Sequence, residues 1–153
     1  MVFVPSLTGL GAPFWNTSIR GSLLGLTRGT SKENIAHATL EAIAFQVKAV
    51  LDAMAKDFGR PIESLRVDGG AAANNLLLQI QADVTEHNVV RAKVLESTGF
   101  GAALLAGLGS GIFGSMDELR NLNPAEQTFK PMVSRQREYQ RFLQAVELTS
   151  NWS

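Results

Sequence analysis

The stretch Val67-Asp68-Gly69-Gly70-Ala71-Ala72-Ala73-Asn74-Asn75 holds the residues best suited to chemistry. Two glycines stand where an apolar run ends and a helix-like run begins. A helix N-terminus presents unpaired N–H groups and a partial positive charge. Ligands of open α/β sheets collect at the carboxyl ends of strands. Glycine at such a point permits positive φ and a close approach of backbone to ligand. Ala71, Ala72 and Ala73 keep the adjoining surface small. A flat ring could slide against that wall, and Asn74, one turn into the helix, could hydrogen-bond it. A tight turn followed by ordinary helix packing uses the same residues, and from residue types alone it is the simpler reading.

The other chemistry-bearing residues form weaker patterns. Gly109–Gly114 (GSGIFG) matches G-x-G-x-x-G but follows a helix pattern rather than a strand, so it reads as a helix C-cap and loop. No G-x-x-x-x-G-K-[ST] loop and no Ser-His-Asp arrangement stands out. His37 and His87 are too isolated for a metal pair and read as surface or helix-face residues. Asp83 and Glu86 near His87 fit a solvated helix end. Phe14 and Trp15 after Pro13 either line a cleft or pin a loop to the core. Arg28 could meet a phosphate, although a surface ion pair is the simpler account.

Alternating elements must position these residues. Val2–Leu7 reads as a strand, followed by a turn-rich loop and a second short apolar run, Leu23–Leu26. A long helix then starts at a capping box formed by Thr30 and Glu33, with Ser31 as a competing cap. Ile35, Ala38, Ala42, Ile43, Val47, Val50, Leu51 and Met54 line one face of it down to about Asp57, and Gly59 stops it. Ser64–Asp68 is expected as a strand, residues 72–85 as a helix and Asn88–Ala92 as a strand. Glu96–Gly109 reads as a tightly packed helix, Met116–Leu122 as a short helix and Pro124–Pro131 as a loop. Arg135–Leu148 reads as a closing amphipathic helix. Helices alternating with short strands indicate α/β layers. A sheet that starts in mid-pattern leaves an unpaired edge, which proteins normally cover, so the chain is expected to be part of something longer.

Composition bounds the function classes. The 153 residues suit one domain. Fourteen basic and 14 acidic residues cancel, which predicts no bulk attraction to nucleic acid or to an anionic membrane. The absence of cysteine excludes disulfides and thiolate metal sites and fits a cytoplasmic protein. No window is long and apolar enough for a membrane helix.

Three separate motifs, in order, make the chain resemble the C-terminal part of the FGGY carbohydrate kinases. They are VPSLTGLGAPFW (Val4–Trp15), GSLLGLTRGTSKENIAHATLEAIAFQ (Gly21–Gln46), and LRVDGGAAANNLLLQIQAD (Leu65–Asp83) with VLESTGFGAALLAG (Val94–Gly107). The tail from Leu119 matches more loosely. The resemblance implies an actin-like ATPase fold of ribonuclease-H-like lobes, of which residues 1–153 would be the C-terminal nucleotide-binding lobe without its start or its N-terminal partner. It implies ATP with Mg2+ as phosphoryl donor and a sugar or polyol as acceptor. The TGLGAPFW loop favours glycerol, giving glycerol 3-phosphate, over xylulose, erythritol or gluconate. Carried over by position, Gly70 and Asn74 would contact the adenine nucleoside, with Gly69 and Ala71 beside them. No catalytic residue is carried over, because the family's catalytic aspartate and substrate motifs lie upstream of this region; Asp68 more simply shapes the turn or helps the phosphate region indirectly. The isolated chain is accordingly expected to be inactive. A non-catalytic nucleotide-binding or self-associating module is the alternative, and the exposed sheet edge would favour a homo-oligomer. Ser6-Leu7 departs from the family's common alanine-phenylalanine pair, and Thr98-Gly99-Phe100 from its threonine-alanine-leucine.

Overall fold

Residues 1–59 and 62–150 are described by a computed structural model. Its longest element, helix α1 (Lys32–Phe58), is capped by its own sequence. Ser31 Oγ accepts the Asn34 N–H at 3.4 Å, and Asn34 Oδ1 accepts the Ser31 N–H at 3.0 Å. This reciprocal pair satisfies donors that a helix start leaves open. It replaces the expected Thr30–Glu33 box, because Thr30 is occupied one turn earlier, accepting the Thr27 N–H at 2.9 Å. The Ser31 hydroxyl, with Glu33's own N–H, holds the Glu33 carboxyl below its ordinary range. Gly59 closes the helix in the left-handed conformation, which carries no Cβ penalty in glycine.

Among the described residues five short strands form two sheets. β1 (Val2–Val4) and β2 (Ser22–Leu24) pair antiparallel, with Val2 opposite Leu24. β3 (Ser64–Val67), β4 (Asn88–Ala92) and β5 (Ala125–Phe129) form the second sheet in that order. β3 and β4 run parallel, with Leu65 opposite Val89; β4 and β5 run antiparallel, with Val89 opposite Phe129. β5 corrects the loop expected over Pro124–Pro131. Four of its five residues are exposed and only Phe129 is buried, so its side chains carry no alternating pattern. Backbone pairing with β4 makes it a strand despite weak propensity.

Between β3 and β4 the chain runs through a single 3₁₀ turn, Gly70–Ala73, and helix α2 (Asn75–Thr85). α2 is central to the packing. Its Ile80 and Val84 join Val4, Leu10, Ile19, Phe45 and Phe142 in one core, while Leu78 and Ala82 meet Ala72, Val89 and Phe129 in a second. Helix α5 (Gln136–Ser150) closes the first core with Tyr139, Phe142, Ala145 and Val146. Burial pushes the Tyr139 phenol well above its ordinary range, and neighbouring Asp52 adds to the effect. Asp83, expected at a solvated helix end, is buried instead. It accepts from Met132 N–H at 2.8 Å and from Gln79 Nε2 at 2.9 Å, so the segment after β5 supplies what water would otherwise supply.

Two packing expectations also change. Helix α3 (Ser97–Gly109) forms, but only Gly107 of it is buried and Leu105 is 61% exposed. It is an apolar helix without a cover among the described residues, not a tightly packed one. The short α4 (Met116–Leu119) follows. On α1 the expected single face divides. Ala38, Ala42 and Leu51 are buried, together with Ala44, Phe45 and Ala49, while Ile35, Ile43, Val50 and Met54 stay exposed. The helix is apolar over a wider arc than α2 and α5 cover. Ser6, where the resemblance led to an expectation of alanine, is fully buried with its hydroxyl unpartnered.

A candidate nucleotide-binding turn

β3 delivers the chain to Asp68 and Gly69 at its carboxyl end, and the turn after it is tightly specified. Gly69 has φ 81° and donates its N–H to Leu95 O at 2.8 Å. Ala72 N–H returns to Gly69 O at 3.0 Å, and Asn74 N–H to Ala71 O at 3.1 Å. Asn74 is the N-cap of α2 rather than a residue one turn inside it. Its Oδ1 accepts the Leu77 N–H at 3.1 Å, a role asparagine fills well. The Asn74 amide NH2 has no partner among the described residues and is exposed.

Space around the glycines differs from what a packing role would require. A Cβ built at Gly69 or at Gly70 would meet no atom within 4 Å. Gly69 needs glycine for its positive φ. Gly70 needs it for neither conformation nor room inside the chain. Gly70, Ala71, Ala73 and Asn74 are exposed, while Ala72 is buried and anchors the turn to the sheet-side core. The result is an open cradle with an alanine wall, beside the first backbone N–H groups of α2.

Arg91, which the sequence reading passed over, lies beneath this turn. Its side chain is 11% exposed. Nη1 donates to Ala72 O at 3.3 Å and to Asn75 Oδ1 at 2.6 Å; Nε donates to Glu126 Oε2 at 2.6 Å and Nη2 to Gln127 Oε1 at 2.8 Å. The guanidinium also sits 5.6 Å from the Phe129 ring centroid. The available signal was positional: Arg91 stands two residues from Val89, hence on the same inward face of β4.

The remaining candidates stay apart from the turn. Gly109–Gly114 begins at the last residue of α3 and ends the helix with Ser110 N–H on Ala106 O and Gly111 in positive φ, as a C-cap and loop should. His37 approaches Glu41 at 3.6 Å on α1, and Glu41 is held by Arg135 Nη1 at 2.9 Å. His87 Nδ1 lies against Thr85 O. Phe14 packs on the first core, while Trp15 is 78% exposed. Arg28 is exposed and has no ion-pair partner among the described residues. A cleft of about 450 Å3 lies between the loop at Leu10–Phe14 and α1. Its lining includes no titratable side chain, so it offers no acid–base chemistry. Among the described residues no three His, Asp or Glu side chains converge on a metal-sized site, and no residue of this chain is assigned to a cation. No helix among them is long and apolar enough to cross a membrane.

A parallel strand–turn–helix–strand unit with an open glycine turn at the strand's carboxyl end defines an α/β domain. The chain belongs to the FGGY family of carbohydrate kinases, whose C-terminal domain matches residues 1–110. Its fold is accordingly the actin-like ATPase fold of that domain. The glycerol kinase of Streptococcus agalactiae serotype Ia is 52% identical over 149 residues, covering 95% of this chain and 30% of that protein. The glycerol kinase of Plasmodium falciparum, solved with ADP, superposes with a TM-score of 0.84 at 34% identity, covering 97% of this chain and 30% of that one. A ligand-bound xylulose kinase from Lactobacillus acidophilus gives a TM-score of 0.72 at 26% identity, covering 97% and 29%. The chain thus spans about 30% of the length of these relatives.

Proposed function

We infer that this chain is the C-terminal nucleotide-binding lobe, residues 1–153, of a cytoplasmic kinase that transfers the γ-phosphate of ATP to glycerol. The observation that carries the reading is the cradle at Gly70, where neither φ nor packing within the chain calls for glycine. An adenine ring lying on the Ala71 side would explain it. Gly69 sets the turn, Gly70 and Ala71 give the nucleoside backbone approach, and the free amide NH2 of Asn74 donates to it. The first N–H groups of α2 favour the negative charge of the phosphates. Mg2+, when bound, would neutralise charge on those phosphates.

Phosphoryl transfer depends on positioning and charge stabilisation more than on covalent participation by the protein. This chain contributes positioning on the nucleoside side and no catalytic residue. Glycerol rather than another acceptor is supported by the 52% identity to a glycerol kinase, against 26% to the xylulose kinase. The test is to express the complete reading frame that carries this chain and to follow ADP release from Mg-ATP with glycerol, erythritol, xylulose and gluconate. Turnover with glycerol, and none by residues 1–153 alone, is expected. Turnover with one of the others instead would keep the nucleotide turn and discard glycerol.

A further inference from the structure

We propose that Arg91 is the positioning residue of the nucleotide turn, fastening it to the far strand of the sheet without itself touching the nucleotide. The inference rests on the nucleotide reading of Gly69–Asn74 and adds the device that holds that turn in register. Arg91 occupies a place that packing alone would give to an apolar side chain. Its neighbours on the same face are Val89 and Phe129. Burying a guanidinium there carries a desolvation cost that an apolar residue of similar volume would avoid. The charge is retained where it joins two separate segments.

The hydrogen bonds divide evenly between those segments. On one side Nη1 takes Ala72 O, in the middle of the alanine wall, and Asn75 Oδ1, next to the Asn74 cap. On the other side Nε and Nη2 take Glu126 and Gln127 of β5. Two consecutive β5 residues can both reach one side chain because the β4–β5 register shifts between Arg91 and Ala92. Bulges of this kind re-aim side chains. Val67, the last residue of β3 before the turn, stands opposite Arg91 in the parallel ladder. The guanidinium therefore sits under the middle and the end of the turn and ties both to β5. A binding turn keeps its affinity only when held to within about 0.5 Å of its productive geometry, and a rigid fork with five donors is suited to that task.

The experiment uses the product of the complete reading frame and compares Arg91→Met, Arg91→Lys, Asn75→Ala and Gly70→Val. ADP affinity is measured by calorimetric titration, alongside KM for ATP, KM for the polyol, kcat and thermal midpoint. Loss of the fork in Arg91→Met is expected to weaken ADP and raise KM for ATP by about tenfold, the equivalent of one charge-assisted hydrogen bond. KM for the polyol and kcat at saturating ATP should stay within about twofold of wild type, and Arg91→Lys should recover part of the loss. Asn75→Ala, which cuts one of the two turn-side bonds, should weaken ADP by about threefold. A folded Arg91→Met protein with wild-type ADP affinity overturns the proposal. So does a variant in which both KM values and kcat worsen together in step with the thermal midpoint, which is the signature of a merely structural role. If the Arg91 variants do not fold, unchanged ADP affinity in Asn75→Ala overturns it. Gly70→Val separates the two layers. Wild-type ADP affinity in that variant removes the nucleotide reading itself, whereas lost affinity there with none lost in Arg91→Met removes only the role of Arg91.

Discussion

Replacing Gly70 by valine tests the nucleotide turn with little interference from folding. Gly70 lies outside the positive-φ region, and its added Cβ would meet no atom within 4 Å. The fold should therefore tolerate the change within about 0.5 kcal/mol, as for an exposed site without special geometry. Stiffening of the unfolded chain offsets part of any cost, by about 0.4–1 kcal/mol in favourable cases. Gly69 gives the contrast. Its φ of 81° makes any L side chain cost about 1–2 kcal/mol, so a loss of binding in a Gly69 variant would confound fold with site. At Gly70 the valine methyls enter the space where the adenine face would rest. An aromatic face seated there removes on the order of 100 Å2 of apolar surface from water, about 2.5 kcal/mol. Displacing it should weaken ADP binding roughly 50- to 100-fold. The assay is calorimetric titration of ADP into wild-type and Gly70→Val protein, with thermal midpoints as the folding control. Equal midpoints with a large loss of affinity are expected. Equal midpoints with equal affinity would refute the reasoning, because the cradle would then be empty for some other reason.

Other expectations follow from single residues. Ser6→Ala should stabilise the chain by about 1 kcal/mol, since it removes a fully buried hydroxyl that has no partner; urea denaturation would read this, and a destabilised variant would mean that the hydroxyl is satisfied in solution. Tyr139 should make the fold sensitive to alkali. Its phenol is raised above the ordinary 10.0 by burial and by Asp52, so the native state favours the neutral form. That contribution is complete below about pH 10 and falls away as pH rises toward the elevated native value. Tyr139→Phe should flatten the decline of stability above about pH 10, followed by denaturation midpoints across that range; an unchanged slope would place the alkaline sensitivity elsewhere.

Features governed by neighbours in sequence were legible. The long helix α1 and its glycine stop were readable because a 3.6-residue period and a left-handed C-terminal glycine both act within one or two turns. The cap was misplaced by one residue because Thr30, Ser31, Glu33 and Asn34 are all competent. Only the side-chain partners decide among them: Thr30 is drawn back to Thr27, and Ser31 is freed for Asn34. The glycine turn after β3 was visible as a change of period, but its division into a 3₁₀ turn and a capped helix at Asn74 depends on hydrogen bonds that closely spaced residues can make in more than one way.

The order of the main helices and strands and the position of the glycine turn follow from local backbone preference and can be read without the fold. Tertiary structure alone decided the rest. β5 is a strand because β4 offers it a backbone ladder, and its side chains do not announce it. α3 looks like a core helix by composition and is exposed, because burial belongs to the pair of surfaces and not to one of them. Asp83 and Arg91 carry charge into buried positions because partners 49 and 35 residues away meet them there. A buried charge is tolerable only where such partners converge, and convergence over that separation is a property of the folded chain.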